Sequence, residues 1–406
     1  MAVAFSATGR RVATDLSTGD FAALLAAAMA VSMAYGVTLP LVPGLVERAG
    51  VGEVADVDSH TGWITGVYTL ALFLFAPAWG ALADRIDRRW VLAAGLAGSS
   101  AALWALTLPS GMRGLYALRA MAGLMSAAVL PAVFACVVTA SAPSRLQRRF
   151  AWIASATALG FLLGPALGDG LTGLMRAPAL GDAASATLPL DVVAIVGLLA
   201  VVSVLGLPPN RARVTLGGAR PGDERRIGRS LLLTALVVLA ITVAEVGVTL
   251  AARRVPPAGP VPVSVYFALC SGVMIAVQFW ALPRLERRLG EPRLVVVALA
   301  VLSAGLGLLA VSNAGFVTAA AFVLAAAGIG VLIPSLAVRI SSAAGARQGW
   351  AMGRQAAAAN LGQAVGAAAT GSLFALAPPL PFLIAGALVA AAAVAAAWEG
   401  ATRRSP

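Results

Sequence analysis

Charged residues inside the apolar runs of this 406-residue chain include Arg119, Asp169 and Glu245. Each is a candidate for proton chemistry. Burial penalises the charge of a carboxylate, so a desolvated Glu favours its protonated form and can release that proton when its access changes. Glu245 falls ~23 Å along its helix at ~1.5 Å per residue; its structural alternative is a hydrogen bond to a neighbouring helix. An Arg in an apolar run is costly unless paired or hydrated. Arg119, about 8 Å from its helix end, either serves function or extends to the lipid headgroups. Asp169, near a helix end, is a further titratable site or a solvated residue, and Asp191 reads as a solvated end residue. His60 is the only histidine, and Cys136 and Cys270 both lie in apolar stretches. Neither a metal site nor a disulfide is expected from that set.

The chain that carries these groups is unusual in composition. Apolar residues make up 60% and charged residues 11%, against ~25% charged in an ordinary soluble domain. A helix that crosses a bilayer needs about 20 mostly apolar residues, so the chain can supply on the order of a dozen crossings. A soluble enzyme, a disordered chain and a disulfide scaffold are excluded. All 29 basic residues are Arg, against 17 acids, for a net charge of +12. They cluster in loops between apolar runs, so the surplus reads as membrane topology rather than nucleic-acid binding. With no Lys, a G-x-x-x-x-G-K-[ST] phosphate loop cannot exist, and nucleotide-driven work by this chain alone is not expected.

Twelve apolar runs fall near 21–45, 61–83, 90–109, 114–140, 150–175, 187–207, 230–251, 262–283, 293–312, 315–338, 349–376 and 379–398. If both termini are cytoplasmic, 23 arginines lie in the tails and inner loops and five outside (Arg48, Arg113, Arg176, Arg253, Arg254). The positive-inside rule prefers that arrangement. The stretch 208–228, rich in Pro, Gly and Arg, reads as a polar linker. It divides an N-terminal six-helix bundle (1–207) from a C-terminal one (229–406). The loop Pro283–Gly290 weakly echoes Gly80–Asp87, and two halves with a matching basic loop suggest the internal repeat of a secondary transporter.

The run Gly80-Ala-Leu-Ala-Asp84-Arg85-Ile-Asp87-Arg88-Arg89 resembles the G-x-x-x-D-R-x-G-R-[RK] loop of the major facilitator superfamily, in its tetracycline and multidrug efflux branch. Asp87 stands where that pattern has Gly. The resemblance implies a cytoplasmic loop that latches the two halves through Gly80, Asp84, Arg85, Arg88 and Arg89; otherwise it is a basic loop that only sets topology. Arg119-Ala-Met-Ala-Gly123 looks like the family's R-x-x-x-G stretch, with Ala122 where Gln is usual. Gly160-Phe-Leu-Leu-Gly164-Pro165-Ala-Leu-Gly168-Asp169 is similar to the G-x-x-x-G-P-x-x-G-G pattern of proton-coupled exporters. Small residues at this spacing let helices approach closely, and Pro165 permits a bend. Gly328–Pro334, Arg347–Gly353 and Asn360–Gly362 also resemble the branch. The first helix lacks a buried acid and the fourth has none, so the acid-based tetracycline mechanism of that branch is not carried over.

The resemblance implies an all-α integral membrane protein of twelve helices in two bundles, in a bacterial cytoplasmic membrane, working as a monomer by alternating access. It implies export of small lipophilic or cationic organic molecules against protons, with no cofactor. Uptake of a small nutrient by proton symport is the alternative, and a non-transporting receptor is disfavoured by the short loops. Family cavity positions here are Tyr35, Thr38, Tyr68, Met125, Thr242, Asn360 and Gln363. Aromatic and Met side chains supply adaptable apolar contact and the amides hydrogen bonds. Each alone could equally be helix packing.

Overall fold

A computed structural model describes residues 16–83, 85–108, 111–139, 143–175, 182–209, 224–254, 263–312, 315–344 and 348–402. Those residues form helices and short connections. In chain order the helices are α1 (Thr18–Arg48), α2 (Val54–Ala83), α3 (Arg88–Ala105), α4 (Met112–Ser126), α5 (Val129–Thr139), α6 (Pro143–Met175) and α7 (Asp182–Leu205) in the first half. The second half holds α8 (Glu224–Arg254), α9 (Val263–Ala276), a π-helical turn (Val277–Ala281), α10 (Leu282–Leu289), α11 (Glu291–Val311), α12 (Phe316–Ala344), α13 (Gln348–Leu376) and α14 (Leu380–Thr402). Since α4 continues into α5, and α9 into α10 through the π turn, they make twelve rods. Among the described residues nine stretches are long and apolar enough to cross a membrane by themselves. A bilayer core offers backbone groups no water, which leaves helices as the available solution.

Several boundaries differ from the apolar runs, each for a local reason. The fourth run, expected unbroken over 114–140, is interrupted at Ala127 and Ala128. Pro131 has no N–H for the carbonyl of Ala127 and crowds it, and the Ala128 N–H instead reaches the nearer Met125 carbonyl at 3.1 Å. The expected loop Pro283–Gly290 is largely helical, and α10 ends only where Gly290 takes a positive φ of 71°. Glu224–Gly228, expected in the linker, already form the first turns of α8. Glu224 there complements the positive N-terminal end of the helix. Residues 210–223 of the linker lie outside the described set.

The second bundle packs around a large cluster that includes Leu299, Leu302, Phe322, Ala325 and Leu332 and a small one of Ile227, Leu231, Ile340 and Ala351, and the first around two, centred on Leu92 with Val133 and on Val37 with Leu103. A further cluster is mixed: Tyr35, Leu39, Tyr68, Ala102 and Ala122 of the first half meet Phe267 of the second. Outward, large apolar side chains stay bare, Val202 at 70% exposure and Leu232 at 72%, as a lipid-facing surface requires. The end of the molecule where α1 begins is the Thr18 face, and the end where it finishes is the Arg48 face.

Candidate functional site

Small residues set how closely the rods meet. On α6, a Cβ at Gly160 or Gly164 would collide with the α1 backbone around Met29, Met33 and Gly36, and a Cβ at Gly36 would sit 2.6 Å from the Phe161 carbonyl. The Gly-Pro stretch is therefore a backbone-to-backbone seam inside the first half. Pro165 Cδ lies 3.1 Å from the same Gly36 position, while Gly168 has ordinary room against Pro40 and Val37.

That seam brings α1 and α6 side chains to the centre. Tyr35 stacks on Tyr68 with centroids 5.4 Å apart and on Phe161 at 5.8 Å. Phe161 meets Phe267 edge-on at 5.6 Å, and Phe267 meets Phe322 at 6.1 Å. An aromatic wall thus runs from α1 and α2 through α6 to α9 and α12, crossing from one half to the other. Such rings offer flat apolar contact at low entropic cost.

Two charged groups border this wall. Arg119 on α4 is 1% exposed. Its guanidinium lies over the Tyr68 ring at 4.5 Å, and Nη1 donates to Thr38 Oγ1 at 3.3 Å. Its Nε and Nη2 are buried without a hydrogen-bond partner. Glu245 on α8 is 7% exposed and is close enough to Tyr35 and Cys270 to act on both electrostatically. Tyr35 also feels Arg119, so both charges act on it. Gln363 Nε2 of α13 donates to the Tyr35 hydroxyl at 2.8 Å. Among the described residues neither Arg119 nor Glu245 takes part in an ion pair.

Of the residues singled out in the sequence, the fold brings Tyr35, Thr38, Tyr68, Arg119, Glu245 and Gln363 together. Met125 stands apart, its thioether laid against Gly98 of α3. Thr242 donates to the Val238 carbonyl at 2.8 Å and packs on Gly366. Asn360 is half-buried on α13, three residues before Gln363. The side chain of Asp169 lies outside the described residues. Phe161, Phe267, Phe322 and Ser126, which bonds the Tyr68 hydroxyl, were not marked by the sequence, since an aromatic or Ser in an apolar run has no distinguishing pattern. His60 is half-buried and shares a 2.9 Å hydrogen bond with the Tyr116 hydroxyl. The reason is that α2 begins at Val54, before the apolar run, and carries His60 against α4.

In the basic loop, Asp87 caps α3, its carboxylate accepting from the Arg89 N–H at 3.2 Å. With φ at −66° this position has no need of Gly. Arg88 is buried and donates from Nη1 to the Ala135 carbonyl of α5 at 3.1 Å, within its own half. Arg89 pairs with Asp87 at 3.2 Å, Arg85 is exposed and Gly80 has open space around it. Asp84 lies outside the described residues.

At the Arg48 face the halves are joined. Arg253 pairs with Glu47 and Arg254 with the buried Asp58, while the Arg254 guanidinium lies over the Phe374 ring at 4.7 Å. Beside them α2 and α13 touch backbone to backbone: a Cβ on Gly62 would sit 2.6 Å from Gly371 Cα.

The sequence profile of the Major Facilitator Superfamily matches residues 24–349. The class B tetracycline resistance protein of Escherichia coli is 31% identical over 137 residues, covering 34% of this chain and 33% of that protein, so this match spans about a third of the relative. Multidrug resistance protein 2 of Bacillus subtilis (strain 168) is 22% identical over 378 residues, 90% of this chain and 91% of that protein. A crystal structure of the peptide transporter POT with sulfate superposes with a TM-score of 0.73 at 14% identity, covering 96% of this chain and 97% of that one. The twelve rods in two bundles, the site between them and the profile match agree: the chain belongs to the major facilitator superfamily, and is a multi-pass membrane transporter of small molecules rather than an enzyme.

Proposed function

We propose that this transporter exports small lipophilic or cationic organic molecules across a bacterial cytoplasmic membrane in exchange for protons, as a monomer with both termini in the cytoplasm. The observation that carries the reading is a buried carboxylate, Glu245, without an ion pair among the described residues, beside an aromatic wall shared by both halves. The names of the tetracycline and multidrug resistance relatives point the same way. With the Arg48 face as the outer face, the Arg253–Glu47 and Arg254–Asp58 pairs hold the outside closed. The Tyr35 hydroxyl of α1 and the Cys270 thiol of α9 lie within electrostatic reach of Glu245. Neither neutralises a carboxylate, so Glu245 carries its proton or its charge exposed to whatever enters. Cargo and proton then compete for one carboxylate, and the swing of the bundles delivers them to opposite sides.

The test is flux in inverted membrane vesicles with an imposed pH gradient. Dye uptake into these vesicles should collapse with a protonophore, and Glu245→Gln should abolish gradient-driven transport at normal expression. Full gradient-driven transport by that variant removes Glu245 from the role. Dye accumulation in cells on expression, rather than depletion, replaces export with uptake by symport.

A further inference from the structure

The Nε and Nη2 atoms that lack partners form one complete edge of the Arg119 guanidinium. The other two features of the group are taken: Nη1 is bonded to Thr38 and one face lies over Tyr68. Two parallel N–H donors on one edge match the two oxygens of a carboxylate, in a bidentate arrangement that is stronger and more selective than a single bond. A buried cation with two empty donors and no counter-ion among the described residues is expensive to maintain. A carboxylate ligand settles both deficits at once. Water could satisfy the donors but not the charge.

Glu245, which like Arg119 acts electrostatically on Tyr35, presents the opposite deficit: a buried acid with no cationic partner among the described residues. The stacked rings of Tyr35, Tyr68 and Phe161 belong to the same site, with Arg119 over the Tyr68 ring and Gln363 of α13 bonded to the Tyr35 hydroxyl. We infer that the cargo is an aromatic zwitterion, with a carboxylate docked on the Nε–Nη2 edge of Arg119 and a protonated amine facing Glu245. This inference deepens the export reading and rests on it for the direction of transport. It also accounts for exchange: the amine and a proton compete for Glu245, whereas a purely anionic cargo would bind best with Glu245 protonated and travel with the proton.

The test is equilibrium binding to the full chain in lipid nanodiscs, with no gradient. Three probes of similar shape separate the charges: 4-(piperazin-1-yl)benzoate carries both, its methyl ester only the amine, and 4-(morpholin-4-yl)benzoate only the carboxylate. The zwitterion should bind at least about tenfold more tightly than either partner, the difference expected between a charge-assisted and a neutral contact. Arg119→Gln should erase the preference over the ester alone, and Glu245→Gln the preference over the morpholine compound alone. Equal binding of ester and zwitterion by the unaltered protein overturns the Arg119 subsite, and equal binding of the morpholine compound overturns the Glu245 one. These comparisons need no variant to fold. Zwitterion binding with gradient-insensitive flux would instead discard proton exchange and leave the site standing.

Discussion

Gln363 Nε2 and the Tyr35 hydroxyl, 2.8 Å apart, tie α13 of one half to α1 of the other at the centre of the molecule. The bond spans 328 positions of sequence and holds Tyr35 in the stack with Tyr68 and Phe161. A tie between halves at the cargo site must break or re-form as the halves pivot.

Removing that tie should therefore change transport more than folding. Tyr35→Phe and Gln363→Ala each forfeit a bond worth about 0.5–1.5 kcal/mol, and the double variant should lose little more than either alone. Thermal unfolding should move slightly while the apparent KM for dye transport changes several-fold. Strictly additive effects on KM would show that the two act apart.

The α1–α6 seam makes a sharper structural prediction. Gly164→Val places side-chain atoms into the α1 backbone, where nothing flexible can yield, and should lower the yield of folded protein or its unfolding temperature severely. Gly168→Ala meets Pro40 and Val37 at 3.8–3.9 Å and should be tolerated. Fluorescence-detected size exclusion with a heating step separates the two.

At the Arg48 face, Asp58→Asn removes the charge that pairs with Arg254 and leaves that Arg beside the Phe374 ring. The face should spend more time open. Spin labels at Glu53 and Leu376, both exposed, should report a longer distance population in the variant, and adding Glu47→Gln should enlarge it. An unchanged distribution would mean the glycine contacts alone keep the face shut.

Asp87 departs from the family loop pattern, and its role as the α3 cap makes the departure measurable. Asp87→Gly loses the cap and the Arg89 pair; a lost cap by itself costs up to ~2 kcal/mol when replaced by Ala and only a few tenths by Gly. Asp87→Ala should accordingly be less stable than Asp87→Gly in thermal unfolding. The opposite order would show that the extra backbone freedom of Gly in the unfolded chain outweighs its advantage at the cap.

Much of the fold was readable in advance because lipid leaves the backbone so few options. Twelve apolar runs became twelve rods, and Pro165 and its glycines marked a close seam before any partner helix was known. The site was readable to the extent that charge stands out against an apolar background, which singled out Arg119 and Glu245, while Tyr35 and Gln363 came from the cavity positions that the family resemblance implies. Phe161, Phe267 and Phe322 carry no such contrast, so only the fold reveals the wall they build. Met125 shares its helix with Arg119 yet turns to Gly98, a matter of helix rotation that spacing does not settle. The Arg254–Asp58 pair joins residues 196 apart, and no local pattern links a basic pair at one helix end to an acid at another. The break at Ala127 was missed, although Pro131, whose missing donor acts on the preceding turn, is the residue that causes it.

The contact of Gly62 with Gly371 has one more implication. Two bare backbones laid against each other have no side chains to disentangle, so the seam can part and reseal without any rotamer changing. Anything larger at either position would act as a fixed shim, and the molecule would be held ajar on that side.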